Sequence, residues 1–192
     1  MEHFYQNIQG WFDFQRLYTL VINKLPNNSH IVEIGAWKGS STAFLAVEII
    51  NSGKNIKLDV IDTWKGSNDG AFSAYVDDLK NNNGDIFNLF KKNLEPVKHI
   101  INPIQMPSEE AYKLYKDNSL DFVFLDGNHN YDSVKNDIIF WSTKIKKGGF
   151  IGGHDYHHKD LPGVTKAVDE FFINITIIGG DGISTPSWLV YL

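Results

Sequence analysis

Five short apolar runs, each followed by helical or turn-rich sequence, narrow the possible folds of this chain more than any other feature. They are HIVEIG (30–35), IKLDVID (56–62), IINPI (100–104), DFVFLD (121–126) and FIGG (150–153). Runs this short and apolar suit strands buried on both faces. Between them lie helical patterns. Phe14, Leu17, Leu20, Val21 and Leu25 share one face before Pro26, and TAFLAVEII follows Ser40-Ser41 as a helix behind a serine cap. SEEAYKLYK predicts a helix capped by Ser108. Tyr131 to Lys147 predicts another, stopped by Gly148-Gly149, and Thr165 to Phe172 a further one. The last stretch, INITIIGGDGISTPSWLVYL, predicts two strands and an intervening loop, an antiparallel hairpin.

Alternating β and α elements imply one sheet with helices on both faces. The expectation is an α/β, Rossmann-like fold: a seven-stranded, mostly parallel sheet ending in an antiparallel β-hairpin. A length of 192 residues suits a single domain spanning 1–192. Within it, 1–28 is an N-terminal helical segment, and the Asn- and Gly-rich stretch 65–94 reads as an insert or lid.

Composition removes several function classes. There is no cysteine, hence no disulfide, thiolate metal site or cysteine nucleophile. The net charge of −5 and the absence of a basic stripe argue against nucleic-acid binding. MEHFYQNIQGWFDFQ has neither the basic start nor the apolar core of a secretory signal, and no apolar run suits a membrane span. A cytoplasmic protein without a membrane partner is expected. Its oligomeric state, homo-oligomer included, stays open.

The polar residues of interest fall at the carboxyl ends of the expected strands, where ligands bind in open α/β sheets. The first run leads into VEIGAWKGSS (32–41). Gly35 and Gly39 permit a tight turn, and the helix start at Ser40-Ser41 suits an anionic group. The spacing is GxxxG with Trp37 and Lys38 inside, which fits a small carboxylate better than a dinucleotide pyrophosphate. Glu33 could accept from a cationic amine. Asp62 ends the second run, where a carboxylate suits ribose hydroxyls, and Trp64 could cover an adenine face. The plain alternative is a turn aspartate beside a surface tryptophan. The fourth run ends in Asp126-Gly127-Asn128-His129 and the fifth in His154-Asp155. The separation of 154 − 126 = 28 residues leaves room for one crossover helix between neighbouring strands.

E-x-G-x-x-x-G after the first strand, with an acidic residue ending the second, resembles the class I S-adenosylmethionine-dependent methyltransferases. LDGNHNYDSVKNDIIFW…KKGGFIGGHDY…PGVTKAVDEFF resembles the metal-dependent O-methyltransferase branch with macrolide-sugar O-methyltransferases and, more distantly, catechol O-methyltransferases. The resemblance covers about residues 30–173. It implies that Glu33, Gly35, Trp37, Gly39, Ser40 and Ser41 surround the methionine end of S-adenosylmethionine. It implies that Asp62 holds the ribose and that Trp64 and Ser108 flank the adenine. It further implies that Asp126 is shared between the cofactor side and a divalent metal, with His154 and Asp155 as further ligands. The general base falls at His129.

The chemistry is consistent with that assignment. A sugar hydroxyl is too weak an acid to lose its proton at neutral pH unaided. A divalent cation lowers its pKa, and an imidazole with an ordinary pKa near ~6.5 can take the proton. Relatives offer acidic or amide ligands where this chain has His154. Magnesium prefers oxygen, whereas manganese or another transition metal accepts nitrogen. Three arrangements stay open: a transition-metal site, a site of Asp126 and Asp155 alone, or no metal, with His129 and His154 acting directly. His157 and His158 read as loop or substrate-facing residues, Phe140 and Trp141 as core, and Asp77-Asp78 as a solvated helix face. The expected function is O-methyl transfer to a hydroxyl of a sugar or small polyhydroxylated metabolite. The alternatives are a metal-independent methyltransferase, a metal-binding hydrolase or hydroxylase-like relative, and a non-catalytic cofactor-binding subunit.

Overall fold

The computed structural model describes residues 1–66, 73–182 and 184–192; residues 67–72 of the expected insert lie outside the described residues. The chain runs α1 (Gln15–Lys24), β1 (His30–Ile34), α2 (Ser40–Ser52), β2 (Lys57–Asp62), α3 (Ser73–Asn81), α4 (Ile86–Asn93), β3 (Ile101–Gln105) and α5 (Ser108–Ala111). It continues through β4 (Leu120–Leu125), α6 (Tyr131–Ser142), β5 (Ile145–Gly153), α7 (Pro162–Phe171), β6 (Thr176–Ile178) and β7 (Ser187–Tyr191).

The seven strands form one sheet in the order β3-β2-β1-β4-β5-β7-β6. β1 to β5 run parallel; β7 is antiparallel to both β5 and β6. Pro103 sits in the edge strand β3, where a missing N–H is tolerated. Alternate residues serve opposite faces. Ile31, Phe122 and Phe124 pack with α1, α2 and α4, whereas Val32, Ile34, Val123 and Leu125 pack with α6 and α7. Buried strands covered on both sides need continuous apolar runs, as the sequence has. Among the described residues no helix is long and apolar enough to cross a membrane.

Several local expectations change. The helix from Tyr131 ends at Ser142, and Ile145–Gly149 already belong to β5. Gly148 and Gly149 do not stop a helix; they allow a strand irregularity. Gly148 has φ +84°, and a Cβ on Gly149 would stand 2.8 Å from the Asp121 carbonyl oxygen. The register with β4 shifts there, between Leu120 and Phe122. The stretch 65–94 is not only a lid, because Ile86, Phe90 and Leu94 are fully buried in the core. Helix α7 starts earlier than expected, with Pro162 in its first turn. Trp141 is core as expected, while Phe140 is only half-buried and stacks on Tyr112.

Beneath the sheet, away from the strand ends that bear the site, Asp59 is 1% exposed. His30 lies 2.7 Å from its carboxylate, Tyr115 donates at 2.9 Å and Asn102 at 2.9 Å. Burial opposes its charge, but these partners outweigh it and hold the pKa down to about 2. The folded value lies below the ordinary 3.8. Its stabilising contribution is therefore full above that ordinary value and lost as pH falls through about 2. Asp59→Ala should cost about 3 kcal/mol at pH 7, by orphaning buried partners. Urea unfolding checks this: the gap between wild type and variant should narrow as pH is lowered from 5 toward 2 (roughly the span of the shift).

Candidate active site

Parallel pairing makes the strand ends level. Ile34 is paired with Leu125 and Ile61, and Leu125 with Gly153. The next residues, Gly35, Asp126, Asp62 and His154, therefore arrive at one edge of the sheet. A cleft of about 760 Å³ opens there. That volume suits a small-molecule site.

The turn after β1 is held by one carboxylate. Asp62 Oδ2 accepts the Ala36 and Trp37 amides, both at 2.8 Å, and Oδ1 accepts the Trp64 amide at 2.7 Å. Trp37 takes φ +46° and Trp64 φ +54°, unusual backbone for bulky residues. The amide bonds offset that strain. Asp62 thus holds the turn as well as lining the cleft.

Gly35, Trp37, Ser40, Ser41 and Ser108, assigned by resemblance to the cofactor side, line this cleft. Three residues do not. Glu33 is fully buried on the opposite side of β1, where Tyr18 donates to it at 2.7 Å and Thr42 at 2.5 Å. Burial pushes its pKa up to about 7 against those hydrogen bonds. Strand alternation sends Glu33 to the α1–α2 face, so it cannot meet an amine in the cleft. Trp64 is 1% exposed and packs on Phe87 and Phe90, its indole N–H donating to the Trp37 carbonyl at 2.8 Å. It is core, not an adenine cover. Gly39 lies outside the cleft lining; it caps α2 in the left-handed region, and a Cβ would meet Leu94 at 2.2 Å. Ser108 is the first residue of α5 rather than its cap. Its hydroxyl donates to Asp137 and accepts the Trp141 indole N–H at 2.8 Å. Asp78, expected on a solvated face, is paired with Lys38 at 2.6 Å.

On the other side of the cleft, the loop after β4 is stitched by its own side chains. Asn128 Oδ1 accepts the Asn130 amide at 3.0 Å, and Asn130 caps α6 by accepting the Ser133 amide at 2.9 Å. Gly163 lets α7 press on this loop, since a Cβ there would be 2.8 Å from the His129 carbonyl oxygen. His129 Nε2 consequently lies 3.1 Å from Asp155 Oδ2 and 3.6 Å from Asp126 Oδ1. His154 Nδ1 lies 3.4 Å from Asp155 Oδ1. Oxygens of Asp126 and Asp155 and a ring nitrogen of His154 all fall within 4.8 Å of one another. Donors so spaced can share one cation at ordinary metal–ligand distances of about 2.1–2.4 Å.

Burial opposes charge on Asp155, but the His129 and His154 rings override it and hold its carboxyl well below the usual range. Burial likewise opposes charge on His154, and the Asp13 and Asp155 carboxylates push its pKa up to about 10. His158 lines the cleft, whereas His157 points outward against Tyr156.

Sequence reasoning singled out none of five further contributors. Gln9, Gly10 and Trp11 form cleft wall from the N-terminal segment. Asp137 lies in the wall beside Ser108, its pKa pushed by burial up to about 7. Asp13 pairs with His154. None of them lies at a strand end, the position that drew attention to the others.

Residues 32–156 match a family of methyltransferase domains. An uncharacterised protein of Acanthamoeba polyphaga mimivirus is 28% identical over 148 residues, 75% of this chain. The chain spans 59% of the length of that relative. Among solved structures, the O-methyltransferase NovP superposes with a TM-score of 0.65 at 17% identity, over 91% of this chain and 78% of NovP. CalS11, a TDP-rhamnose 3'-O-methyltransferase of calicheamicin biosynthesis, gives 0.59 at 12% identity, over 91% of this chain and 76% of its own. At these identities the two structures are similar in fold.

Asp62→Asn should free the turn, because an amide nitrogen cannot accept the backbone N–H groups that a carboxylate oxygen does. The expected cost is about 2 kcal/mol in urea unfolding, with altered tryptophan fluorescence from Trp37 and Trp64. Unchanged stability and emission would show that the turn does not depend on Asp62.

Proposed function

The chain belongs to this methyltransferase domain family, and from that premise we propose that it moves the methyl group of S-adenosylmethionine onto a hydroxyl of a small acceptor, a sugar or polyhydroxylated metabolite. The observation that carries the reading is His129 Nε2 standing 3.1 Å from Asp155 and 3.6 Å from Asp126 in the same cleft as the Gly35 turn. A base and a paired carboxylate beside a cofactor-type turn serve proton removal from an acceptor, which a binding module does not need. The O-methyl and sugar assignments draw support from NovP and CalS11, whose own activities are of that kind. The chain's net charge of −5 favours a small acceptor over a nucleic acid.

The residues present fit a divalent cation. Asp126, Asp155 and His154 would hold it, a mixed oxygen and nitrogen set that suits manganese or a later transition metal better than magnesium. Such a cation supplies Lewis acidity, lowering the pKa of an acceptor hydroxyl. S-adenosylmethionine supplies a methyl group on a positively charged sulfur. Gly35 lines the cleft beside the α2 N-terminus at Ser40 and Ser41, which suits the cofactor's carboxylate. Asp62, which lines the cleft, would accept from the ribose hydroxyls. His129 would take the hydroxyl proton, and Asp155 and Asp126, 3.1 and 3.6 Å from its Nε2, would stabilise the imidazolium that results.

A metal-independent variant of this reading is favoured by one observation: carboxylates flank both ring nitrogens of His154, Asp13 at 2.8 Å and Asp155 at 3.4 Å, and favour a doubly protonated ring, which cannot ligate. His129 would then act with Asp155 alone.

His129→Ala should lower turnover by about 10²–10⁴-fold while leaving S-adenosylhomocysteine affinity within a few-fold, measured by calorimetry. Failure of the wild type to bind S-adenosylhomocysteine at millimolar concentration would refute the methyltransferase reading. Turnover that disappears with EDTA and returns with Mn²⁺ supports the metal; turnover indifferent to EDTA selects the metal-independent variant.

A further inference from the structure

Asp13 belongs to the segment before α1, outside every motif that marked the site. Its two oxygens have separate tasks. Oδ2 accepts the Thr185 amide at 2.7 Å, tying the N-terminal segment to the loop before β7. Oδ1 stands 2.8 Å from His154 Nε2. Both of these atoms are sealed from solvent, so Asp13 Oδ1 is the acceptor within reach of Nε2. The ring of Phe14 covers the same imidazole, with centroids 4.7 Å apart. The other nitrogen, Nδ1, faces Asp155 Oδ1 at 3.4 Å. The ring is therefore fixed with one nitrogen toward Asp13 and the other toward the carboxylate cluster.

An imidazole donates to a cation only through a nitrogen that carries no proton, and the group beside the opposite nitrogen decides which one that is. A carboxylate accepts only, so the nearer one, Asp13 at 2.8 Å against Asp155 at 3.4 Å, keeps the proton on the nitrogen it faces. We infer that Asp13 is a positioning residue: it keeps the proton on His154 Nε2 and turns Nδ1 to the divalent cation that Asp126 and Asp155 share. The inference rests on the metal part of the proposed function. It assigns the N-terminal segment a part in the metal site as well as in the cleft wall. It also makes the site one with a nitrogen donor, preferring Mn²⁺ to Mg²⁺.

The test is a calorimetric titration of Mn²⁺ into wild type, Asp13→Asn, His154→Ala and the double variant, with S-adenosylhomocysteine titrated into each. Asparagine keeps an oxygen for the Thr185 amide but can present its NH₂ to Nε2, which would drive the proton to Nδ1. Asp13→Ser is the second variant, used in the same way if the first does not fold. Each single variant should lose about 10–100-fold in Mn²⁺ affinity, with S-adenosylhomocysteine affinity unchanged. The double variant should be no weaker than His154→Ala alone, because Asp13 acts through that ring. Mn²⁺ affinity within twofold of wild type in the Asp13 variants, or losses that multiply in the double variant, would overturn the inference. So would a wild type that binds S-adenosylhomocysteine but no Mn²⁺, which leaves the methyltransferase reading standing. A wild type that binds neither overturns both.

Discussion

The site depends on one close backbone approach, where the end of β1 meets the end of β4. Gly35 has φ +84°, and a Cβ there would lie 1.9 Å from the Asp126 carbonyl oxygen. The Asp126 amide donates to the Ile34 carbonyl at 2.9 Å, continuing the ladder to the last residue before the turn. With that contact made, the turn on one side and the Asp126–His129 loop on the other cannot drift apart. Asp62 then fastens the turn from β2, and parallel register brings His154 and Asp155 level on β5.

A second constraint is electrostatic. Asp126 and Asp155 converge in a part of the cleft largely shielded from water, with His129 and His154 between and beside them. Charges gathered this way rarely help folding, since desolvation offsets most of their attraction. Apolar side chains would fill the same space at lower cost. A charged cluster kept in such a cleft is therefore better explained by chemistry than by stability. It is built from rigid parts: the two glycines ending β5 let β7 lie close, with a Cβ on Gly152 only 2.8 Å from the Trp188 carbonyl oxygen, and Gly163 seats α7 against the His129 loop.

The architecture was legible because strand burial and the β/α period are written locally. DFVFLD and HIVEIG could hardly be anything but inner strands, and the acidic residues closing them marked the functional edge. Local reading failed where a distant partner decides the outcome. KKGG reads as the end of a helix, yet Gly149 lies in β5, where its carbonyl accepts the Leu192 amide at 3.0 Å. Trp64 beside Asp62 reads as a cofactor cover, but α4 supplies Phe87 and Phe90, and an indole gains more from burial among them than from a place at the cleft. Glu33 reads as a ligand of an amine because it precedes the turn. Tyr18 on α1 claims it instead.

The amino-acid sequence by itself determined the α/β order, the burial of the parallel strands and the set of polar residues at their carboxyl ends. These follow from hydrophobic period and from glycine's backbone freedom, both properties of neighbouring residues. Only the tertiary structure decided which of those residues face the cleft, that Asp62 fastens the turn, and that Asp13 reaches His154. Thr185 donates to Asp13 across 172 positions of chain. No local pattern encodes such a contact, because it exists only once α1, β5 and the loop before β7 have packed.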